Sequence, residues 1–490
     1  MNARVSPSVG LLGVVVVAVP LVLSVPADAD LWWHVLTGRL ILASGSMPEV
    51  DPWSFTFPGA PWTNHEWLSD VWIAGAWDWG GTLGLLALRG ALLLTLALCM
   101  ARCVTVRWPH PLAPILLVGL PLPMYASLVN LRPQAATYTF VAVVFLLLDL
   151  VRRGRRWPLA ALPVVFVLWA NLHAGFLFGA GLALLGLATA ATGWEREPDI
   201  PLRTGLAAAS GVALLVAPSL NPHGIDLLRY VVTEMGAFHP YLPEWSPPSG
   251  IMVPILVLAV AFPVVIAGLA RERPRPTEWI ALVAALCLSV RHQKFVILVL
   301  LASSLCTASA IGALARRFQT VWKTREVGFR HPVPVGILSL AVLLGGMPFW
   351  GPPGRIPVDS TRYPTGALAF LRNSQGAGTL WCPLGWGGYV LYHLRDRYRV
   401  AIDGRNTTVY PVDFVVEQTE ALYTGEVAPV LALGPDILLI QRRGSFFEAM
   451  DHEPGWDLSY DDDTSAVFVR QGSGFEPATS AARGIHHFPG

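Results

Sequence analysis

Apolar runs long enough to cross about 30 Å of hydrocarbon recur along the first 350 residues. They lie at 8–26, 81–103, 112–129, 134–151, 158–172, 175–193, 204–219, 251–270, 279–290, 295–314 and 332–350. The pattern predicts a polytopic α-helical membrane protein with about eleven transmembrane helices over residues 1–350. Past the linker Gly351-Pro352-Pro353-Gly354 the composition becomes that of a soluble domain. Thr365 to Arg372 reads as a short amphipathic helix, and Thr379 to Cys382, Arg399 to Ile402, Asp436 to Gln441 and Ala466 to Arg470 read as strands. A small α/β domain over 352–472 follows from this, with a disordered tail over 473–490.

Between the first two apolar runs lies a long polar stretch, residues 27–80, assigned with the membrane domain. Its segments 30–43 and 64–78 have the apolar spacing of helices lying in the membrane interface, joined by the turn-rich Ser46-Met47-Pro48-Glu49-Val50-Asp51-Pro52. Trp at 32, 33, 53, 62, 67, 72, 77 and 79 argues against disorder, because indole rings favour the headgroup boundary.

Charge adds an orientation. Arg102, Arg107, Arg152 to Arg156, Arg271 to Arg275 and Arg316 to Arg330 fall on one side under an eleven-span count, which the positive-inside rule makes cytoplasmic. The N-terminus is then cytoplasmic, and the 27–80 loop and the C-terminal domain are outside. Ala27-Asp28-Ala29 also fits a signal-peptide cleavage pattern, although Arg4 alone makes a weak n-region and the chain re-enters the membrane. With 53% hydrophobic and 14% charged residues and a formal net charge of +1, nothing favours a nucleic-acid partner; membrane lipids are the natural surroundings. The five cysteines suggest no disulfide framework.

The chemistry-bearing residues gather on the outside. Asp28-Ala29-Asp30-Leu31-Trp32-Trp33-His34 follows the first run, and Asn64-His65-Glu66-Trp67-Leu68 opens the second loop helix. Asp30 and His34 would stand four apart on one helical face as an acid–base pair, unless Asp28 and Asp30 merely cap the helix. Asp30, His34, His65 and Glu66 also have the donor types for a divalent metal. Arg132, Arg291 and Lys294 suit the grip of a phosphate at the membrane surface, with Asn171, His173, His223 and Glu244 lining the same outer side. In the soluble domain, Gly385-Trp386-Gly387-Gly388-Tyr389 reads as a turn-permitting stretch. Ile402-Asp403-Gly404-Arg405-Asn406 reads as either a polar-ligand site or a turn fixed by an ion pair.

This layout resembles the C-type (GT-C) glycosyltransferases, most of all their aminoarabinose-transferase and protein-mannosyltransferase branch. The resemblance rests on Asp28-Ala29-Asp30 just after the first span and on Gly45, Pro48, Asp51 and Glu66-Trp67-Leu68 in the first loop. It implies a GT-C-like fold with two juxtamembrane helices in that loop, in a bacterial inner membrane. It also implies transfer of a sugar from a polyprenyl-phosphate donor to a lipid, glycan or protein acceptor, with Asp28 or Asp30 as base. The chain departs from better-known members in its Trp- and His-rich loop, and no acceptor motif matches. A non-catalytic carrier or scaffold for lipid-linked glycans, or a polymer ligase, stays open; protein partners are not readable.

Overall fold

Proline and glycine decide where the apolar runs form helices and where they break. A computed structural model describes every residue except 1–5, 24–26, 193–199, 237–242, 272–274, 323–331, 347–353, 479–486 and 490. His239, His331, the Lys323 to Arg330 part of the last basic block, Arg273 and linker residues 351–353 lie outside the described residues. The chain divides into two units: Met1–Ser24 with Leu86–Phe238 and Leu242–Pro353, and Val25–Leu85 with His239–Tyr241 and Gly354–Gly490.

The first unit is helical. Four described helices are long and apolar enough to cross a membrane: Trp67–Arg107, which begins in the second unit, Gln134–Arg152, Met252–Ala270 and Gln293–Phe318. Ser8–Val22, Trp157–Leu172, Phe176–Thr189, Pro276–Ser289 and Val333–Gly345 are shorter apolar helices. The runs at 112–129 and 204–219 are not uniform α-helix: the first breaks where Pro121 precedes Leu122–Leu128, and the second widens into a π-helical turn at Val212–Val216 before Ala217–Ser219 with its Pro218. The helical class stands as read, while the number eleven rests on counting the short and broken helices as spans.

Buried charge in this unit is satisfied within it. Arg89 is 2% exposed and donates to the carbonyls of Val129 (2.8 Å), Leu21 (2.6 Å) and Ala126 (2.5 Å), groups that hydrocarbon could not solvate. Arg107 binds Asp149 with two nitrogens and Glu278 Oε1 through Nε at 2.5 Å; Ser309 donates to Glu278 Oε2 at 2.6 Å. These contacts tie four helices together.

The second unit is built on a five-stranded sheet: β1 (Gly378–Trp381), β2 (Tyr398–Val400), β3 (Ile437–Gln441), β4 (Trp456–Asp461) and β5 (Ser465–Arg470), in the order β2-β1-β3-β5-β4. β1 is parallel to β2 and β3, and β5 is antiparallel to β3 and β4. Four strands match the sequence reading. β4 escaped it although Trp456, Leu458 and Tyr460 alternate with Asp457, Ser459 and Asp461 as a half-buried strand does, because Asp is depleted in strands.

Residues 27–80, expected to belong with the membrane domain, fold as part of this second unit. Ser54 bridges Val400 in parallel and the Phe55 N–H donates to the Val400 carbonyl at 3.0 Å, covering the open edge of β2. Arg405 completes the join. Its Nη1 lies 2.7 Å from Asp51 Oδ1, its Nε and Nη2 reach Asp403 at 2.9 and 2.7 Å, and its guanidinium sits 4.7 Å from the ring centres of both Trp53 and Trp62. The Asp403-Gly404-Arg405 stretch is therefore a turn fixed by ion pairs, one of its two sequence readings.

The tail is corrected at its described end. Phe488 is 2% exposed, His487 bridges Pro357, and the Pro489 carbonyl accepts from Trp32 Nε1 at 2.7 Å and His393 Nε2 at 2.6 Å. A buried aromatic and two satisfied donors outweigh the ordering entropy that its composition suggested would win.

Candidate active site

His34 lies on the helix Leu31–Ser44, whose first turns are buried on every side rather than on one. That departs from the expected interfacial helix, which would keep one polar face. Gly38, one turn beyond His34, lets this helix pass against the start of Trp67–Arg107: a Cβ at Gly38 would stand 2.0 Å from the Asp70 carbonyl oxygen. The crossing places His34 Nδ1 2.6 Å from Asp70 Oδ1, and Asn64 Nδ2 donates to Asp70 Oδ2 at 2.8 Å.

This array corrects the expected Asp30–His34 pair. His34 bonds Asp70, while Asp30 acts on it through charge. Burial disfavours the imidazolium, but the Asp70 hydrogen bond and charge, with the charges of Asp30 and Glu66, outweigh burial and hold His34 above its ordinary value of 6.5. Asn64 stood in the segment read as chemistry-bearing but was given no role, and Asp70 was missed, although it follows Glu66 by one helical turn, the spacing already weighed for Asp30 and His34.

Asp28 and Asp30 have local work as well. Asp28 Oδ1 accepts the Asp30 N–H at 3.1 Å, and Asp30 Oδ1 accepts Trp33 Nε1–H at 3.2 Å. Asp30 stands at the N-cap without a side-chain capping bond, so the cap alone does not explain it. His65 Nε2 lies 3.4 Å from Glu66 Oε1. Asp30, His34, His65 and Glu66 do not come together as a metal site: among the described residues, no group of three or more His, Cys, Asp or Glu is placed to hold an ion.

In the first unit, Arg132 Nη1 lies 2.5 Å from Glu244 Oε2, and Lys294 Nζ sits 2.9 Å from the ring centre of Trp245. His292 Nδ1 approaches the Trp245 carbonyl at 2.7 Å. The 244–245 segment thus gathers Arg132 and Lys294, while Arg291 is exposed. Asn171 and His223 meet through Asn221, while His173 is held by Thr137. Asn221 Nδ2 donates to Asn171 Oδ1 at 3.3 Å, the His223 N–H donates to Asn221 Oδ1 at 3.0 Å, and His173 Nδ1 lies 2.8 Å from Thr137 Oγ1.

No family model matches this sequence, and no curated protein matches it. Solved structures do. The archaeal oligosaccharyltransferase AglB from Archaeoglobus fulgidus, in complex with an inhibitory peptide and a dolichol-phosphate, aligns over 96% of this chain and 74% of its own, with 11% identity and a TM-score of 0.59. ArnT from Cupriavidus metallidurans, bound to undecaprenyl phosphate, aligns over 94% of this chain and 97% of its own, with 15% identity and a TM-score of 0.53.

The chain has the GT-C fold.

The arabinofuranosyltransferase AftD from Mycobacteria shares that fold over 95% of this chain and 42% of its own, with 13% identity and a TM-score of 0.54. Within the GT-C fold, the Asp28–Asp30 stretch, the buried His34–Asp70 pair and the Arg405 clamp all belong to one unit of this chain.

Proposed function

We propose that this protein is a membrane glycosyltransferase that moves a sugar from a polyprenyl-phosphate donor to an acceptor outside the cytoplasm. The fold supports the reading, as do two similar structures described with dolichol-phosphate and undecaprenyl phosphate. The observation that carries it is the buried array Asn64–Asp70–His34 with the Asp30 carboxylate in its charge field.

Such an array suits proton removal from an acceptor. The acceptor O–H or N–H gives its proton to Asp30 or His34, and its lone pair bonds to the anomeric carbon. The bond from that carbon to the phosphate oxygen breaks with its electrons left on the phosphate. A polyprenyl phosphate is already a good leaving group, so the protein has mainly to accept the proton and steady the phosphate charge. Asp70 fixes the ring orientation of His34, while Asp28, His65 and Glu66 complete the acid–base set. Arg132, Arg291 and Lys294 are the cations for the phosphate, which would compete with Glu244 for Arg132. Asn171, His173 and His223 are assigned to the surroundings of those cations, and no step is assigned to a metal. The proposed setting is a bacterial inner membrane with about eleven spans and a cytoplasmic N-terminus.

The test uses purified full-length protein, undecaprenyl phosphate, undecaprenyl-phosphate-linked pentoses and hexoses, and a panel of lipid, glycan and protein acceptors bearing free hydroxyl or amino groups. Binding of the lipid phosphate and consumption of at least one donor are expected, with about 100-fold slower consumption in Asp30→Asn or His34→Gln. Binding without consumption of any donor would favour the carrier reading; neither would sink both.

A further inference from the structure

The soluble domain has two glycine-bearing stretches that the proposed chemistry leaves without a role, and both abut Trp33, the indole bonded to the Asp30 carboxylate. A Cβ at Gly404 would stand 2.6 Å from Asp30 Oδ1 and 2.9 Å from Trp33 Nε1. On the helix Leu384–Leu394, a Cβ at Gly388 would stand 3.2 Å from Trp33 Cδ1 and 3.3 Å from the Ala29 carbonyl oxygen. A Cβ at Gly387 would meet the Ile402 carbonyl oxygen at 2.3 Å and Asp403 Cα at 2.6 Å, so that glycine sets the helix against the 402–404 turn. The turn is rigid. Asp403 Oδ1 accepts the Arg405 N–H at 3.0 Å, Asp403 Oδ2 accepts Tyr410 OH at 2.7 Å, and Arg405 Nη1 holds Asp51 at 2.7 Å.

We propose that Gly388 and Gly404 are positioning residues: they form a cradle that fixes the Asp30 carboxylate and the Trp33 N–H bonded to it. The inference rests on the reading that Asp30 takes part in sugar transfer. Neither glycine has a left-handed φ, so backbone freedom does not explain them. The space they leave is filled by Asp30, Trp33 and Ala29. Trp33 is only 7% exposed and donates to Asp30 Oδ1, so a methyl group at position 404 has no slack to use: it must turn the carboxylate or push the indole away. Misplacement of a reacting group by about 1 Å is enough to cost about 100-fold in rate. On this reading the soluble domain is part of the catalytic machinery, supplying one wall of it through backbone.

The experiment compares the wild-type full-length chain with Gly404→Ala, Gly388→Ala, Gly385→Ala and Trp33→Phe, and with the Trp33→Phe/Gly404→Ala double variant. Undecaprenyl phosphate binding, consumption of undecaprenyl-phosphate-linked sugars and the melting temperature are read for each. Gly385 has no atom within 4 Å of its Cβ position and serves as the control in the same motif. Gly404→Ala is expected to slow consumption at least tenfold with binding changed less than twofold, and Gly385→Ala to match the wild type. The double variant is expected to be slowed by less than the product of the two single effects, because both changes disturb the same Asp30–Trp33 pair. A wild-type rate in Gly404→Ala, or full multiplication of the two single effects, overturns the inference while leaving the function intact. Parallel loss of binding, rate and melting temperature in Gly404→Ala overturns it too, since that marks a purely structural glycine. A wild-type chain that consumes no donor removes the reading on which the inference stands.

Discussion

Arg405 shows how much one side chain decides. It is 1% exposed beside Trp53 and Trp62 and shared by Asp51 and Asp403. Burial would raise the Asp403 carboxyl, but the Arg405 charge and hydrogen bonds hold it below its ordinary value. Removing the cation leaves two buried carboxylates without it, which costs about 3–5 kcal/mol. Arg405→Met is therefore expected to lower the melting temperature of the purified chain markedly. Arg405→Lys should recover only part of the loss, because an ammonium cannot serve Asp403 with two parallel bonds while keeping a planar face to the indoles. Equal melting temperatures for all three proteins would show that the clamp contributes nothing.

At the scale of elements, the decisive contact is the crossing of Leu31–Ser44 over the start of Trp67–Arg107. Gly38 allows it, and the His34–Asp70 bond lies one turn away. A methyl group at position 38 would meet the Asp70 backbone, which has no rotamer with which to yield. Overpacking of this kind costs about 1–3 kcal/mol and spreads the helices. Gly38→Ala is expected to lengthen the His34–Asp70 contact, slow donor consumption and lower the melting temperature together, unlike the selective loss expected at Gly404. Unchanged consumption with an unchanged melting temperature would mean that the crossing adjusts freely. Gly81 does a different job: its φ of 54° interrupts the helical path, dividing the loop helix from the span where the polar pattern gives way to the apolar one.

For the whole molecule, the pairing of Ser54 with Val400 has a topological consequence: the chain between the two segments must cross the membrane an even number of times. Ten crossings after the first loop satisfy this. In intact cells, a membrane-impermeant thiol reagent is expected to label Val50→Cys and Gln471→Cys but not Arg153→Cys; labelling of Arg153→Cys alone would invert the orientation. Ser54 itself is unsuitable as a probe, being 1% exposed. The anchored chain end adds a pH dependence. Burial pushes His393 down to about 4; the Pro489 carbonyl opposes that shift, and Arg372, donating to Nδ1 at 2.9 Å, assists it. The fold thus holds this imidazole neutral, so its contribution is complete above the unfolded value of about 6.5 and is lost as pH falls toward 4. The melting temperature should drop over that interval, and less steeply in His393→Gln; an equal slope would exclude His393 as the cause.

The sequence by itself determined the helical membrane class, the separate α/β composition after 352 and the Asp28-to-His34 and Asn64-to-Glu66 segments, because hydrophobic period, turn residues and local charge are properties of neighbours along the chain. The tertiary structure alone decided that His34 bonds Asp70 rather than pairing with Asp30, that residues 27–80 fold with residues beyond 354, and that Gly388 and Gly404 abut Trp33 and Asp30. Asp51 and Arg405 are 354 positions apart, and no local period encodes such a contact. It forms because a buried guanidinium must find carboxylates wherever the folded chain brings them, and that requirement is met only once the whole unit has closed.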